Sequence, residues 1–177
     1  MAGFFSRIFS KSDPAIADAT RIYNHLMIQS RQPEFYAADR VPDNYDGRID
    51  LLTLHIAPVM HRLQSLGEQG GYLSQALYDV MRDDFEVALR EEGLSDTGVK
   101  KRIKPIMNLF FTQVKAYVQA LEKRESLTTK FLPSLVAEPE SEFSKALSDY
   151  ALKFADTLSH KALGEIAHTD YEFPLKP

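Results

Sequence analysis

The sequence has no cysteine and no tryptophan among its 177 residues. Without cysteine the chain cannot form disulfides, thiolate metal sites or iron–sulfur clusters, and it has no cysteine nucleophile. A long apolar run is also missing, because the longest such stretch, residues 49–60, is interrupted by Asp50, His55 and Pro58. This stretch falls short of the roughly 18–20 apolar residues that a membrane span requires. We therefore expect a soluble protein, and residues 4–9 are too short for the apolar part of a secretory signal.

An excess of basic charge is absent as well. The chain carries 21 Lys and Arg against 25 Asp and Glu, which gives a formal net charge of −4. No overall positive field can hold a nucleic acid, so we predict no direct nucleic-acid site. The hydrophobic fraction of 44% is ordinary for a globular protein and excludes a wholly disordered chain. The length is typical of one domain.

Composition and periodicity favour helices over strands. Leu and Ala together outnumber Val and Ile by more than two to one, which favours helix on intrinsic propensity. Apolar residues recur at steps of three and four, and no alternating run of strand length occurs. We predict an all-α fold, with a single-domain bundle of about five to seven helices over residues 13–170. A short amphipathic segment, residues 1–12, precedes the bundle, and an irregular tail, residues 171–177, follows it.

Capping and breaking residues set the expected helix limits. Asp13 and Pro14 begin the first helix, and Gly93 ends the third in the left-handed conformation. Three glycines within residues 67–71 predict a flexible turn. The expected helices cover residues 14–29, 46–66, 72–92 and 96–121, with a shorter segment at 126–135 and a last helix that Pro139 opens. The second helix shows one apolar stripe, through Ile49, Leu52, Ile56, Val59, Leu63 and Leu66.

The sequence patterns of enzymes are weak or missing. No glycine-rich phosphate loop and no nucleophile elbow is present. Glu165 and His168 resemble half of a helical di-iron site, but the second Glu-x-x-His pair that such a site needs is missing, and an exposed helix end explains the two residues. His55 lies between Leu54 and Ile56 and is expected to be a core histidine with a hydrogen-bond partner. We expect no catalytic residue, no metal and no cofactor.

The first eleven residues have the pattern of an amphipathic helix. The apolar residues share one arc of about 140° on a helix; they are Phe4, Phe5, Ile8 and Phe9. The basic Arg7 and Lys11 lie outside this arc. An aromatic face opposite a basic face is typical of a helix at a membrane interface. We predict modest, reversible contact of these six residues with a membrane surface; the alternatives are a terminus that docks two phenylalanines on the bundle, or simple disorder.

A dense charge cluster follows the third helix. Glu91 and Glu92 end one helix, and four cations lie in the first two turns of the next, so both groups oppose the helix dipole. Either the two groups compensate each other across the turn, or both are displayed for a charged partner. The cluster comprises Arg90, Glu91, Glu92, Asp96, Lys100, Lys101, Arg102 and Lys104.

Polar residues also crowd the turn between the first two helices. Arg31 and Arg48 are able to pair with Asp43 and Asp50, and Gly47 lies beside Arg48 where the second helix begins. We expect these residues to lock the turn. The predicted structural motif comprises Arg31, Asp43, Gly47, Arg48, Asp50 and His55.

Two blocks of the sequence resemble the ubiquinol–cytochrome c chaperone family. The first block comprises residues 23–31, Pro33, Tyr36, residues 41–43, Gly47, Arg48, Asp50, Leu54, His55, Arg62 and Leu63. The second comprises Asp84, residues 89–91, Gly93, Asp96, Val99, Lys101 and Arg102. Residues 110–121 are similar to the aromatic and alanine-rich helix that follows in the family. The resemblance covers roughly residues 20–122.

The resemblance implies an assembly factor and not an enzyme. Members of the family bind newly made cytochrome b, a polytopic haem protein, and protect it while the respiratory cytochrome bc complex is assembled. Mitochondrial members act with a partner protein near the ribosomal exit. The long targeting leader of those members is not expected here, so the chain looks like a bacterial member of the alphaproteobacterial type. The implied location is cytoplasmic, peripherally associated with the inner membrane, with cytochrome b as the partner and the ribosome nearby.

The family's client-binding region lies in the second block. The resemblance places it on Arg90, Glu91, Asp96 and Lys100. The predicted client-binding set also includes their neighbours Glu92 and Lys101. The chain departs from the family here, since Glu92 occupies a place where Met is usual, and Phe85 and Glu86 replace Met and Asp. A protein of another class also fits the residue patterns: a helical protein that binds a lipid or a quinone at the membrane surface.

Overall fold

The computed structural model describes residues 13–37 and 39–177. This part of the chain contains α-helices, two short 3₁₀ helices and no strand, so the predicted all-α fold is confirmed. The helices are α1 (Pro14–Ser30), α2 (Tyr45–Ser65), α3 (Gly67–Glu91), α4 (Asp96–Lys123), α5 (Glu142–Ser159) and α6 (Leu163–Ala167). Within the described ranges no helix combines the length and the hydropathy needed to cross a membrane.

Helix α2 forms the centre of the bundle. Helices α1, α3, α4 and α5 all pack against it, and residues 51–60 are buried without interruption. The apolar stripe predicts one buried face, through Leu52 and Ile56. The structure buries the opposite face as well, through Leu51 and Leu54, because α5 and the loop before it cover that side. Because this segment is surrounded on all sides, its polar residues Thr53 and His55 are buried too, and both hydrogen-bond to backbone carbonyl oxygens of α2.

The two faces of α2 belong to two hydrophobic cores. The first core joins α2 to α1, α3 and the first half of α4 and contains Ile22, Leu77 and Phe110. The second core joins α2 to α5 and the second half of α4 and contains Tyr117 and Leu147. Each fully buried large side chain contributes about 1.5–3 kcal/mol through removal from water. The bundle therefore depends on α2 as a shared wall.

Helix α3 begins earlier than the sequence predicts. Only Leu66 separates it from α2, so the expected flexible turn over residues 67–71 is wrong. Gly67 has a φ of +77°, a conformation that glycine adopts without strain. Gly70 lets the two helices touch, because a Cβ there would lie 2.0 Å from the carbonyl oxygen of Leu63. These two glycines thus serve a sharp helix corner.

The segment between α4 and α5 contains less helix than predicted. In place of a helical segment at 126–135, only the 3₁₀ turn Thr128–Lys130 forms, followed by a loop. Three apolar side chains of this segment lie in the second core: Leu127, Phe131 and Leu135. Helix α5 begins after Pro139 and not at it, because the hydroxyl of Ser141 caps the helix by accepting a hydrogen bond from Ser144 N at 3.1 Å.

The C-terminal tail packs on the bundle although its backbone is irregular. Residues 170–177 have no regular structure. The ring of Phe173 stacks on His25 with centroids 4.8 Å apart and lies 4.9 Å from the ring of Phe154. Tyr171 is buried beside them. The tail therefore closes the first core where α1 and α5 meet.

Candidate functional site

Two clefts open on either side of the first turns of α2. The first, of about 360 Å³, lies between α1, α2 and α3 and is named the α1–α3 cleft. The second, of about 200 Å³, lies between α2, α4 and the loop that carries Ser134 and is named the α2–α4 cleft. Tyr45 and Ile49 line both clefts, so the first turns of α2 form the wall between them.

The two clefts differ in their linings. The α1–α3 cleft has an apolar floor and charges of both signs: Met27, Arg31, Arg48, Leu52, Asp84, Phe85 and Glu92. The α2–α4 cleft is apolar on the α4 side and polar at its base: Asp50, Arg102, Ile106, Leu109, Phe110 and Gln113. The first cleft therefore suits a partner that carries both apolar groups and charges.

Only one of the ion pairs considered for the predicted structural motif forms. The Arg48 guanidinium donates to Asp43 Oδ1 at 2.7 Å. Arg31 pairs with no acid in the described ranges, and its side chain lines the α1–α3 cleft. Asp50 forms an ion pair with neither arginine, and its carboxyl accepts a hydrogen bond from the Ser134 hydroxyl instead. The structure thus leaves Arg31 facing the cleft.

The start of α2 is fixed by a cap and by a close backbone approach. The Asn44 side chain accepts a hydrogen bond from Gly47 N at 2.9 Å. Gly47 itself lies so near the preceding turn that a Cβ would stand 2.3 Å from the carbonyl oxygen of Pro42. A larger residue at this position would push the turn away from α2 and open both clefts.

Asp50 is buried at the base of the α2–α4 cleft. Its residue is 4% exposed, and its carboxyl accepts a hydrogen bond from the Ser134 hydroxyl. Burial raises the pKa of this carboxyl to about 6, against the lowering effect of the Ser134 hydrogen bond. Asp50 therefore takes up a proton in a pH range where exposed carboxyls remain ionised.

His55 is a core histidine, in agreement with the prediction. Its Nδ1 lies 2.8 Å from the carbonyl oxygen of Leu51, and its Nε2 lies 2.9 Å from the hydroxyl of Tyr150. A carbonyl can only accept, so Nδ1 carries the hydrogen and Nε2 accepts from Tyr150. Burial lowers the pKa of His55 to about 4. The residue supports the bundle beneath the clefts and lines neither of them.

The charge cluster is partly compensated and partly displayed. Arg90 lies between Glu86 at 3.3 Å and Asp96 at 3.4 Å, and so links α3 to α4 across the turn. Glu91 and Lys101 are exposed and form no ion pair with any described residue, and the same holds for Glu92 and Lys100. The compensation considered for Glu91 and Glu92 with the four cations therefore forms no ion pair among the described residues, and Arg90 links the turn instead.

The structure brings the two sequence motifs together. Glu92 of the charge cluster lines the α1–α3 cleft beside Arg31 and Arg48 of the predicted structural motif. Arg102 of the cluster lines the α2–α4 cleft. Glu92 and Arg102 both act electrostatically on the phenol of Tyr45, whose pKa is raised first by burial. Tyr45 therefore stands at the point where the motifs meet.

Sequence reasoning missed Tyr45 and Gln113. The hydroxyl of Tyr45 and Oε1 of Gln113 are buried and have no hydrogen-bond partner in the part of the chain that the structure describes. Gln113 lies on the buried arc of α4 between Phe110 and Tyr117. A polar residue inside an apolar stripe is the signal that points to it. Tyr45 gives no comparable signal, because it precedes the helical stripe.

At the base of the α1–α3 cleft, a buried phenol holds an acid in place. The Tyr23 hydroxyl donates to Asp84 Oδ2 at 2.7 Å. Burial, reinforced by the bond to Asp84, raises the pKa of Tyr23 above its usual range. The bond ties α1 to α3 and fixes the direction in which Asp84 faces the cleft.

Glu165 and His168, which resemble half of a di-iron site, form hydrogen bonds at the ends of α6. Glu165 Oε2 accepts a hydrogen bond from Ala162 N at 2.8 Å, and Oε1 accepts from Lys161 Nζ at 3.0 Å. His168 is exposed, with Nδ1 2.8 Å from the carbonyl oxygen of Gly164. Within the described ranges no three His, Asp or Glu side chains are grouped so that they could hold a metal ion.

The predicted membrane-contact residues lie outside the described residues. They are Phe4, Phe5, Arg7, Ile8, Phe9 and Lys11. Their contact with a membrane surface stays a prediction.

Comparison with known proteins relates the chain to one family. The family model described as ubiquinol-cytochrome C chaperone matches residues 38–173. The mouse protein named ubiquinol-cytochrome c reductase complex assembly factor 1 is 22% identical over 103 residues, which are 58% of this chain and 35% of the mouse protein. The chain thus matches about a third of that relative's length. The crystal structure of the Cbp3 homolog from Brucella abortus is similar with a TM-score of 0.77 and 30% identity, over 93% of both chains.

Proposed function

The chain belongs to the ubiquinol–cytochrome c chaperone family, and from this membership we propose that it is an assembly chaperone for the respiratory cytochrome bc complex. It binds newly synthesised cytochrome b at the inner membrane and holds it while the complex is built. It acts by binding alone, without a catalytic step and without a cofactor of its own.

The lining of the α1–α3 cleft carries this proposal. Two motifs that are far apart in the sequence supply its rim, with Arg31 and Arg48 from one and Glu92 from the other. Leu52 and Phe85 supply an apolar floor between them. An unassembled membrane protein presents apolar helices flanked by charged residues. A cleft with an apolar floor and a rim of both signs complements such a client, since the floor binds and the rim sets the orientation.

The client-binding surface extends from this cleft over the turn between α3 and α4. It comprises Arg90, Glu91, Glu92, Asp96, Lys100 and Lys101. The salt bridges of Arg90 to Glu86 and Asp96 link α3 to α4 across the turn. The remaining charges have no partner among the described residues and are available to charges of the client. Such exposed pairs contribute orientation and association rate more than affinity.

We place the protein in the cytoplasm, peripherally attached to the inner membrane. Contact with the membrane is assigned to residues 1–12, through the side chains predicted above. A position near the ribosome follows from the need to meet cytochrome b as it is made. No direct nucleic-acid site is assigned, since the net charge of −4 supplies no attracting field.

Site-specific crosslinking tests the proposal. A photoreactive amino acid replaces Glu92, and a matched variant carries it at Lys153, an exposed position on α5. After irradiation in native membranes, we expect cytochrome b peptides joined to position 92 and not to position 153. Absence of cytochrome b from the products at position 92, or equal yields at both positions, contradicts the proposal.

The same preparation decides between the chaperone and a binder of small amphiphiles. A lipid or quinone that survives purification, measured by native mass spectrometry, together with no cytochrome b crosslink, assigns the protein to the second class. The charged rim of the α1–α3 cleft favours the chaperone, because a quinone ring with its long apolar tail requires a predominantly apolar pocket.

A further inference from the structure

Helix α4 carries an extended surface with charge of one sign. Residues 97–121 contain five Lys and Arg and no Asp or Glu, although the whole chain has a net charge of −4. The five cations are Lys100, Lys101, Arg102, Lys104 and Lys115. All five are exposed, and in residues 13–37 and 39–177 no side chain forms an ion pair or a hydrogen bond with any of them. Their positive charge is therefore fully displayed.

Three of these cations share a narrow face with an exposed aromatic ring. At 100° per residue, Lys100, Lys104, Phe111 and Lys115 fall within an arc of about 60° and extend over about 22 Å. These four residues are named the α4 outer face, and Lys100 is the residue that this face shares with the proposed client-binding surface. Phe111 is 47% exposed, although its ring contacts Tyr78 of α3 with centroids 4.9 Å apart. About half of a large aromatic side chain is thus exposed between lysines.

The combination of unpaired cations and an aromatic ring fits an anionic phospholipid surface. Each lysine near such a surface contributes about 1 kcal/mol through the negative headgroup potential, and the interfacial region accepts aromatic rings. We infer that the α4 outer face rests against anionic lipid headgroups, as a contact additional to residues 1–12. The inference deepens the proposed peripheral membrane attachment and rests on it. A protein partner is less well matched. A protein surface of mixed charge would bring cations against the α4 outer face, which has no acidic residue to pair with them.

Vesicle sedimentation with the full chain tests this inference. The test variant is Lys104→Gln with Lys115→Gln, two residues outside the proposed client-binding surface. The matched control is Lys130→Gln with Lys153→Gln, which removes the same charge from exposed positions away from α4. Every protein keeps residues 1–12, so their contribution cancels. Circular dichroism verifies that each variant is folded.

We expect the wild type to sediment with vesicles of phosphatidylcholine and phosphatidylglycerol but not with phosphatidylcholine alone. The test variant should bind the anionic vesicles about 30-fold more weakly, which is about fivefold for each lysine. The control variant should bind as the wild type does. Phe111→Ser should weaken binding by about tenfold, as removal of a half-buried aromatic ring from the interface predicts.

Three results would overturn the inference. The wild type does not bind anionic vesicles, or both lysine pairs lose the same affinity, or the test variant binds vesicles as the wild type does. Crosslinking of cytochrome b at position 92 in detergent is measured in parallel. If the test variant loses that crosslink and keeps the vesicles, the α4 outer face binds protein. If the wild type gives no crosslink but binds vesicles in the expected manner, the client assignment fails and the lipid surface stands.

Discussion

The buried pair of His55 and Tyr150 makes the stability of the bundle depend on pH. In the fold the pKa of His55 is about 4, because burial disfavours the charged imidazolium. In the unfolded chain the pKa of histidine is about 6.5. At a pH between these two pKa values, the histidine binds a proton in the unfolded chain and does not bind it in the folded protein. The free energy of unfolding of the wild type therefore falls as the pH drops from about 6.5 to about 4.

The substitution His55→Gln removes this dependence. A difference of about 2.5 pKa units corresponds to roughly 3–4 kcal/mol, at about 1.4 kcal/mol per unit. At pH 7 we expect the variant to be less stable than the wild type by about 1–3 kcal/mol, because the Tyr150 hydroxyl loses a well-placed acceptor. At about pH 4 the wild type has lost a contribution that the variant never had. The two proteins should then be equally stable, or their order should be reversed.

Urea unfolding followed by circular dichroism measures this effect from pH 7 to about pH 4. The quantity of interest is the difference between the two proteins at each pH, since all other titrating groups are common to both. His160→Gln serves as the control for the loss of an exposed histidine. A constant difference between His55→Gln and the wild type across this range would refute the reasoning.

Three further substitutions test the site and the fold by the same unfolding measurements. Asp50→Asn should be more stable than the wild type by about 2–3 kcal/mol at pH 7, because the buried carboxylate of the wild type is ionised there and destabilises the fold. The variant should lose this advantage towards pH 4, where Asp50 of the folded wild type is protonated. An advantage independent of pH would contradict this. Gly70→Ala should destabilise by about 1–3 kcal/mol, because its Cβ would meet the backbone of α2, whereas Gly71→Ala, with nothing within 4 Å, should be neutral or stabilising; equal effects would refute the tight corner. Phe173→Ala should lower the free energy of unfolding by about 2–3 kcal/mol through loss of the aromatic contacts of the tail. The control Leu175→Ala, at a position 96% exposed, should leave the free energy of unfolding unchanged. If the tail does not contribute to stability, the two variants should be equally stable.

Helix limits were predictable wherever a local signal sets them. Asp13 caps α1 with a hydrogen bond to Ala15 N at 2.9 Å, Ser95 caps α4, and Gly93 has a φ of +91° after α3. Each of these depends on a few neighbouring residues. The start of α3 was not predictable in this way. The glycines there read as a flexible turn, and only the contact of Gly70 with α2 makes them a helix corner.

The candidate site, like the helix limits, was predictable from the sequence only in part. The sequence identifies two groups of charged residues and the resemblance relates them to one family. It does not reveal that Glu92 and Arg31 line the same cleft, because α3 and α1 are brought together only by packing. Asp50 was considered for an ion pair with an arginine, and the fold instead buries it against Ser134 of a distant loop. Gln113 was visible as a polar residue in an apolar stripe, but its meaning depends on the cleft that it faces.

The sequence by itself determined the helical class, most helix ends and the family, since periodicity, capping and short motifs act over a few residues or one helix turn. The tertiary structure decided which faces of α2 are buried, which charges remain unpaired and which motifs share a cleft. These depend on contacts between residues far apart in the chain, whose energies a local pattern does not contain. The outer face of α4 shows the difference, because its lysines are evident in the sequence and their lack of partners is evident only in the fold.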